Sequence, residues 1–332
     1  MKKVLLSTTA IVAAGLLVTS VAYAADEEMM AEPVSIGIGG YTTGAMGFAS
    51  DGDDGMRSHS IDYVFEVGFS GSTTLDNGIT VGVSGQIGRS AGGDEAMDEI
   101  HTTLSGSFGS LRLGRTESAA FNATVAAPGA AIGGMIGVNY DWFSTAGGSV
   151  NTYSGIGDED AMKVVYTTPN FNGLTVGMSY APNNSEENFN DRSTAGLGEH
   201  TAVGATYSTD FMDGGSVTLG AGYEMASGSG DPSAVRAGIN IGVDQISFGG
   251  GMYDHDMNGM MFDVGASWTQ GALQLGLQFA NNEVGAGDAS KAAANLTYTL
   301  GPGVLIGGSI ASITPAMGAD VTQFMLGTAV FF

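Results

Sequence analysis

Apolar and polar residues take turns, one for one, through nearly the whole chain beyond its N-terminal segment. That period of two specifies strands and excludes amphipathic helices. Ile79, Val81 and Val83 share one face, with Thr80, Gly82, Ser84 and Gln86 on the other. Val217, Leu219, Ala221 and Tyr223 alternate with Thr218, Gly220, Gly222 and Glu224, and Leu273, Leu275, Leu277 and Phe279 with Gln274, Gly276 and Gln278. Each run is about ten residues long, the length of a tilted strand that crosses a bilayer. The charges within the runs decide what kind of sheet forms. Asp62, Glu66, Arg112, Lys163, Glu224, Arg236 and Asp263 all fall in phase with the polar face. At mid-depth a charge facing lipid costs roughly 2 to 4 kcal/mol, whereas a water-filled lumen accepts it. A soluble β-sandwich also alternates, but packs bulky residues on its inner face. Here the charge-bearing face is small and rich in Gly. The expected fold is all-β, a transmembrane antiparallel β-barrel of about 16 strands.

Gly supplies 55 of the 332 residues, more than twice the usual share of about 7%. With seven Pro and no three-residue repeat, neither collagen nor disorder explains it. Single Gly within the alternating runs are expected to let strands bend and to leave the interior open.

The first 24 residues read as a signal peptide, with Lys2 and Lys3 ahead of a mostly apolar stretch from Val4 to Val18 and a small-residue cleavage site at Ala22-Tyr23-Ala24. The apolar stretch is too short for a spanning helix and is broken by Ser7, Thr8 and Thr9. The barrel domain is then residues 25–332. It carries eight basic residues against 34 acidic ones, a formal charge of −26, which disfavours nucleic acid as a partner and favours cations near the surface. There is no Cys, so neither disulfides nor thiolate metal sites hold the fold.

Sixteen runs fit between Val34 and Phe332, joined alternately by seven short turns and eight mostly longer, acidic loops. The longer connections include Ala49–Ser58, Ser90–Met97, Thr116–Asp160, Pro182–Leu197 and Asn281–Ser290. Such alternation belongs to an even-numbered barrel with both termini on the periplasmic side. Tyr63, Phe69, Tyr180, Tyr223, Trp268, Phe279 and Tyr298 lie towards strand ends, as interfacial aromatic girdles require.

Three segments resemble the general Gram-negative bacterial porins. Phe108-Gly109-Ser110-Leu111-Arg112-Leu113-Gly114-Arg115 is similar to the family's fifth strand, which ends in Gly-Arg before the constriction loop. Val164–Asn184, with Tyr166-Thr167-Thr168-Pro169-Asn170, is similar to the strand–turn–strand that follows that loop. The terminal Phe332, in phase with Val330, Leu326 and Phe324, resembles the family's C-terminal strand. The resemblance implies a homotrimer in the bacterial outer membrane, in contact with its lipid and lipopolysaccharide, through which small hydrophilic solutes diffuse, and the acidic excess adds the expectation that cations are preferred. It also implies that the longest loop, Thr116–Asp160, folds into the lumen and sets loop carboxylates against basic wall residues. Arg115 is then the first wall candidate and Arg112 the second, with Arg57 and Arg89 near strand ends. Asp141, Asp158, Glu159 and Asp160 are the acidic loop candidates. The loop lacks the Pro-Glu-Phe-Gly-Gly-Asp motif of enteric members, and residues 119–139 carry no charge.

No nucleotide-binding, metalloprotease or nucleophile-elbow motif occurs, and His59, His101, His200 and His255 are scattered, so no enzyme is expected. A barrel hydrolase would need a Ser, His and acid set that no motif supplies. A structural or surface-binding barrel with a plugged lumen is the second expectation. No cofactor is required. Asp51, Asp53 and Asp54, spaced by Gly52 and Gly55, offer oxygens of the kind that hold Ca²⁺, against the simpler expectation of a solvated acidic loop.

Overall fold

The computed structural model describes residues 34–50, 58–89, 99–132, 155–156, 160–184, 197–212, 214–228, 230–284, 287–316 and 318–332. The 1–24 signal segment lies outside them. Among the described residues the chain forms sixteen strands: β1 (Ser35–Ser50), β2 (His59–Thr74), β3 (Thr80–Arg89), β4 (Ile100–Gly106), β5 (Gly109–Arg115) and β6 (Met162–Thr167). Then follow β7 (Leu174–Ala181), β8 (Leu197–Met212), β9 (Gly215–Gly228), β10 (Ser233–Val243) and β11 (Ile246–His255). The last five are β12 (Gly259–Gln270), β13 (Leu273–Val284), β14 (Gly287–Gly301), β15 (Val304–Thr314) and β16 (Val321–Phe331). Each strand pairs antiparallel with its neighbours in sequence, and β1 pairs with β16, so the sheet closes on itself and leaves no edge. The backbone of Gly40 and Phe332 exchanges two hydrogen bonds, of 2.8 and 3.0 Å, so the closure extends to the last residue.

The distribution of side chains is the inverse of a soluble protein's. Ile61 is 75% exposed and Leu277 64%, whereas Arg236 is 3% exposed and Asp263 1%. Cross-strand partners share a face, so the apolar belt is continuous around the outside, as a lipid-facing surface requires.

Tight turns join the strands at one rim. Asp244, with φ of 53°, makes the left-handed corner between β10 and β11, a conformation that Asp tolerates better than most residues. Asn170 accepts the Gly173 N–H at 2.8 Å between β6 and β7. At the other rim one expected loop is absent. Most of Asn281–Ser290 is ladder, with Asn281 opposite Ser290, Asn282 opposite Ala289 and Glu283 opposite Asp288. Beyond the lipid, water imposes no apolar outer face, so strands continue through polar residues that carry no alternation of hydropathy.

Candidate functional site

The expected inward fold of the long loop is present. After β5 the chain turns off the wall at Thr116 and runs inside the barrel, through a single 3-10 turn at Phe121–Ala123, to Ile132. From Thr116 to Ala131 the strip lies outside the strand ladders, and only Ile132 enters a bridge, so most of its backbone N–H groups need other acceptors. Wall side chains supply several of them. Ala119 N–H donates to Ser179 Oγ of β7 at 3.0 Å. Ala127 N–H donates to Asp263 Oδ1 of β12 at 2.8 Å, and Ala130 N–H to Asn295 Oδ1 of β14 at 2.7 Å. Ala131 N–H reaches Gln274 Oε1 of β13 at 3.1 Å, and Ile132 N–H reaches Thr297 Oγ1 of β14 at 2.9 Å. In return Gln278 Nε2 donates to the Ala127 carbonyl at 3.1 Å. The strip thus lies along the wall from β7 to β15, and its end, Ile132, packs on beyond it against Met325 and Ala329 of β16 and Ala45 of β1.

A buried ionic group fixes its middle. Arg236 of β10 donates to Glu224 Oε1 of β9 at 2.6 Å and to Thr124 Oγ1 of the strip at 2.7 Å. The guanidinium also lies over two rings, 4.8 Å from the centroid of Tyr253 and 5.5 Å from that of Phe121. Glu224 Oε2 meets His200 Nε2 of β8 at 3.2 Å. Asp263 Oδ1 accepts a second N–H, from Gly251, at 2.8 Å. Lumen phase predicts wall charges in contact with water. Glu224, Arg236 and Asp263 are in that phase but buried, because the strip lies over them. Their charge is spent on fixing the strip.

The other candidates lie on the wall from β2 to β6 and on β14. Asp62 and Glu66 of β2 are half-buried in lumen phase, and Glu66 accepts a hydrogen bond from Gln86 Nε2. Gln86 N–H donates to the Glu99 carbonyl at 2.9 Å, and the β3–β4 register continued past Ile100 sets Glu99 opposite Gln86, on the same face. Arg112 of β5 pairs with Thr103 and Val165 on the lumen face and donates to Thr116 Oγ1 at 2.7 Å. Lys163 of β6 shares that face and is 2% exposed. Lys291 of β14, opposite Ala280, is a further buried lumen-phase cation that phase alone would have found.

Arg115 stands apart from these. Its register partners are Ile100 and Met162, one face over from Arg112, and its Nε donates to the Asp160 carbonyl at 3.4 Å. It therefore ties the start of the long loop to its end. Gly114, at φ 146°, lies at this departure from the wall. Arg89 is opposite Phe65 in the β2–β3 ladder, and its side chain lies outside the described residues. So do Arg57, Asp141, Asp158, Glu159, Asp51, Asp53 and Asp54.

Three solved structures of bacterial porins illustrate the likeness. A variant of the Rh. blastica porin superposes with a TM-score of 0.67 at 17% identity, covering 90% of this chain and 100% of its own. A second variant of that porin gives 0.65 at 17% identity with the same coverage. A structure described as an anion-selective porin from Comamonas acidovorans gives 0.63 at 18% identity, again covering 90% and 100%. No curated protein sequence matches the chain. The family model described as Gram-negative porin matches residues 7–314. With that match over almost its full length, and with a closed sixteen-stranded barrel that holds the described first part of its long loop inside, the chain belongs to the Gram-negative porin family and is an outer-membrane channel protein.

Proposed function

We propose that this porin passes small hydrophilic solutes by passive diffusion, without turnover or cofactor, and prefers cations. The observation that carries the preference is charge: 34 acidic residues against ten basic ones in the chain. The described lumen face agrees. On the wall from β2 to β6, Asp62, Glu66 and Glu99 stand against Arg112 and the buried Lys163. The strip facing them is uncharged from Ser118 to Ile132, so carboxylates of the wall and mouth dominate the path.

The same reading includes export through a signal peptide at residues 1–24, assembly as a homotrimer, contact with lipopolysaccharide, and Ca²⁺ held by Asp51, Asp53 and Asp54. Each is a separate proposal. The plugged, surface-binding alternative draws no support from the family match.

The test of selectivity is the zero-current potential of single channels across a KCl gradient. A cation-selective sign is expected, weakening as mean salt rises and the Debye length contracts from about 10 Å at 0.1 M to about 3 Å at 1 M. An anion-selective sign overturns the charge assignment. A cation preference that does not fall with salt moves its source from the mouth into the narrowest part of the path.

A further inference from the structure

We propose that the bore of this channel is set from behind the strip, by glycines in the wall on which it lies. The inference rests on the diffusion reading but not on its charge preference. Lumen-phase positions beneath the strip are Gly in strand after strand: Gly204 of β8, Gly220 of β9, Gly238 of β10, Gly265 of β12, Gly276 of β13 and Gly307 of β15. A methyl group at Gly204, Gly220 or Gly238 would enter the carbonyl oxygens of Ala119, Ala123 and Val125 respectively, closer than side chains ever approach. At Gly265 it would come within 2.7 Å of the Pro128 carbonyl oxygen, whereas at Gly276 and Gly307 it would meet wall atoms first, Asn295 Oδ1 and the Leu296 carbonyl, with the Ala130 nitrogen at 2.6 Å and the Ile132 Cβ at 3.0 Å next.

Most of these obstacles are backbone atoms, which cannot rotate aside. The wall cannot retreat either, because every strand is hydrogen-bonded on both sides in a closed sheet. The strip, outside the ladders up to Ile132 and bonded to the wall mainly through wall side chains, is the part that must yield. Its only direction of travel is into the lumen. Sequence reasoning expects glycine to keep the interior empty. Here it forms a recessed track that lets a second layer of chain lie flat against the wall, and the depth of that track determines how much lumen remains. These glycines are positioning residues: they touch no solute, yet they determine which sizes pass.

The wall at β3 provides the control. Gly82 of β3 is also in lumen phase, but a methyl group there would meet only wall atoms, the nearest 3.6 Å away. Gly177 of β7 provides a mild case. Its obstacle is a side-chain atom, Ala119 Cβ at 3.2 Å, and the next atom is 3.6 Å away. Removing that methyl group from the strip should therefore undo the effect of adding one to the wall.

The experiment measures single-channel conductance in KCl, and exclusion of polyethylene glycols of graded size, for the full-length protein and for G238A, G177A, A119G/G177A and G82A. All are first checked for the folded, heat-modifiable form. We expect G238A to lower conductance by roughly a third or more and to exclude smaller polymers, because conductance follows the free cross-section of the narrowest zone. G177A should show a smaller loss that A119G restores, and G82A should match wild type. Equal losses in G82A and G238A, or wild-type conductance in G238A, overturn the proposal. If G238A does not fold, the Gly177 pair decides: a loss reversed by A119G supports the track, and no loss or no reversal overturns it. A wild-type protein that does not conduct would instead remove the diffusion reading.

Discussion

Arg236 makes two charge-assisted or hydroxyl hydrogen bonds and two ring contacts while almost wholly buried. A Lys at that position could not reproduce this, since it lacks the planar fork that reaches Glu224 and Thr124 together and stacks on both rings. Removing one partner of a buried ion pair costs about 3 to 5 kcal/mol, because the other charge is left without compensation. R236M should therefore lower the temperature at which the folded band disappears from detergent gels. The double variant E224Q/R236M should cost less than the sum of its two single variants, since it removes both charges at once. Additive losses would show that the two residues act independently. The sequence places Glu224 and Arg236 on the right face, because lipid forbids them on the other. It does not show their burial, because the chain that covers them is more than a hundred residues away: Thr124 bonds Arg236 across a separation of 112.

The strip is the element that alternation hides. Ala119 to Ile132 is nearly all small and uncharged, with no period of either two or three and a half, and its partners are 60 to 165 residues distant. Only the resemblance of the flanking strands to porins points to an inserted loop, and nothing local shows that it lies flat. The opposite error occurs at Asn281–Ser290, where polar sequence suggests a loop and strand pairing continues. Asp263 gives the strip its strongest single acceptor. D263A should leave the Ala127 and Gly251 N–H groups without their partner, at about 1 to 3 kcal/mol for a buried donor. The expected readout is increased open-channel noise with barrel content unchanged by circular dichroism. D263N keeps a carbonyl oxygen in place and should remain quieter than D263A. Equal noise in wild type and D263A would show that the neighbouring bonds hold the strip without it.

For the whole molecule, strand number, the lipid-facing surface and the C-terminal closure are all legible, because each follows from a bilayer that rejects unpaired backbone and charge. The purified protein should give a β-rich circular-dichroism spectrum and run as a high-mass band in unheated detergent gels, collapsing to the monomer on boiling. A helical spectrum would contradict the barrel, and monomers in both lanes would remove the proposed trimer. The strip also constrains the order in which the molecule can be completed. It is made before β6, yet its seat is built from β7 to β15, and the sheet closes only when Phe332 pairs with Gly40. Contacts over such separations form late, after loop closure has brought distant segments together. A barrel whose last strands had not yet paired would lack part of this seat and would be wider than the finished channel. A cell that assembles this protein has reason to keep closure and strip docking close together in time.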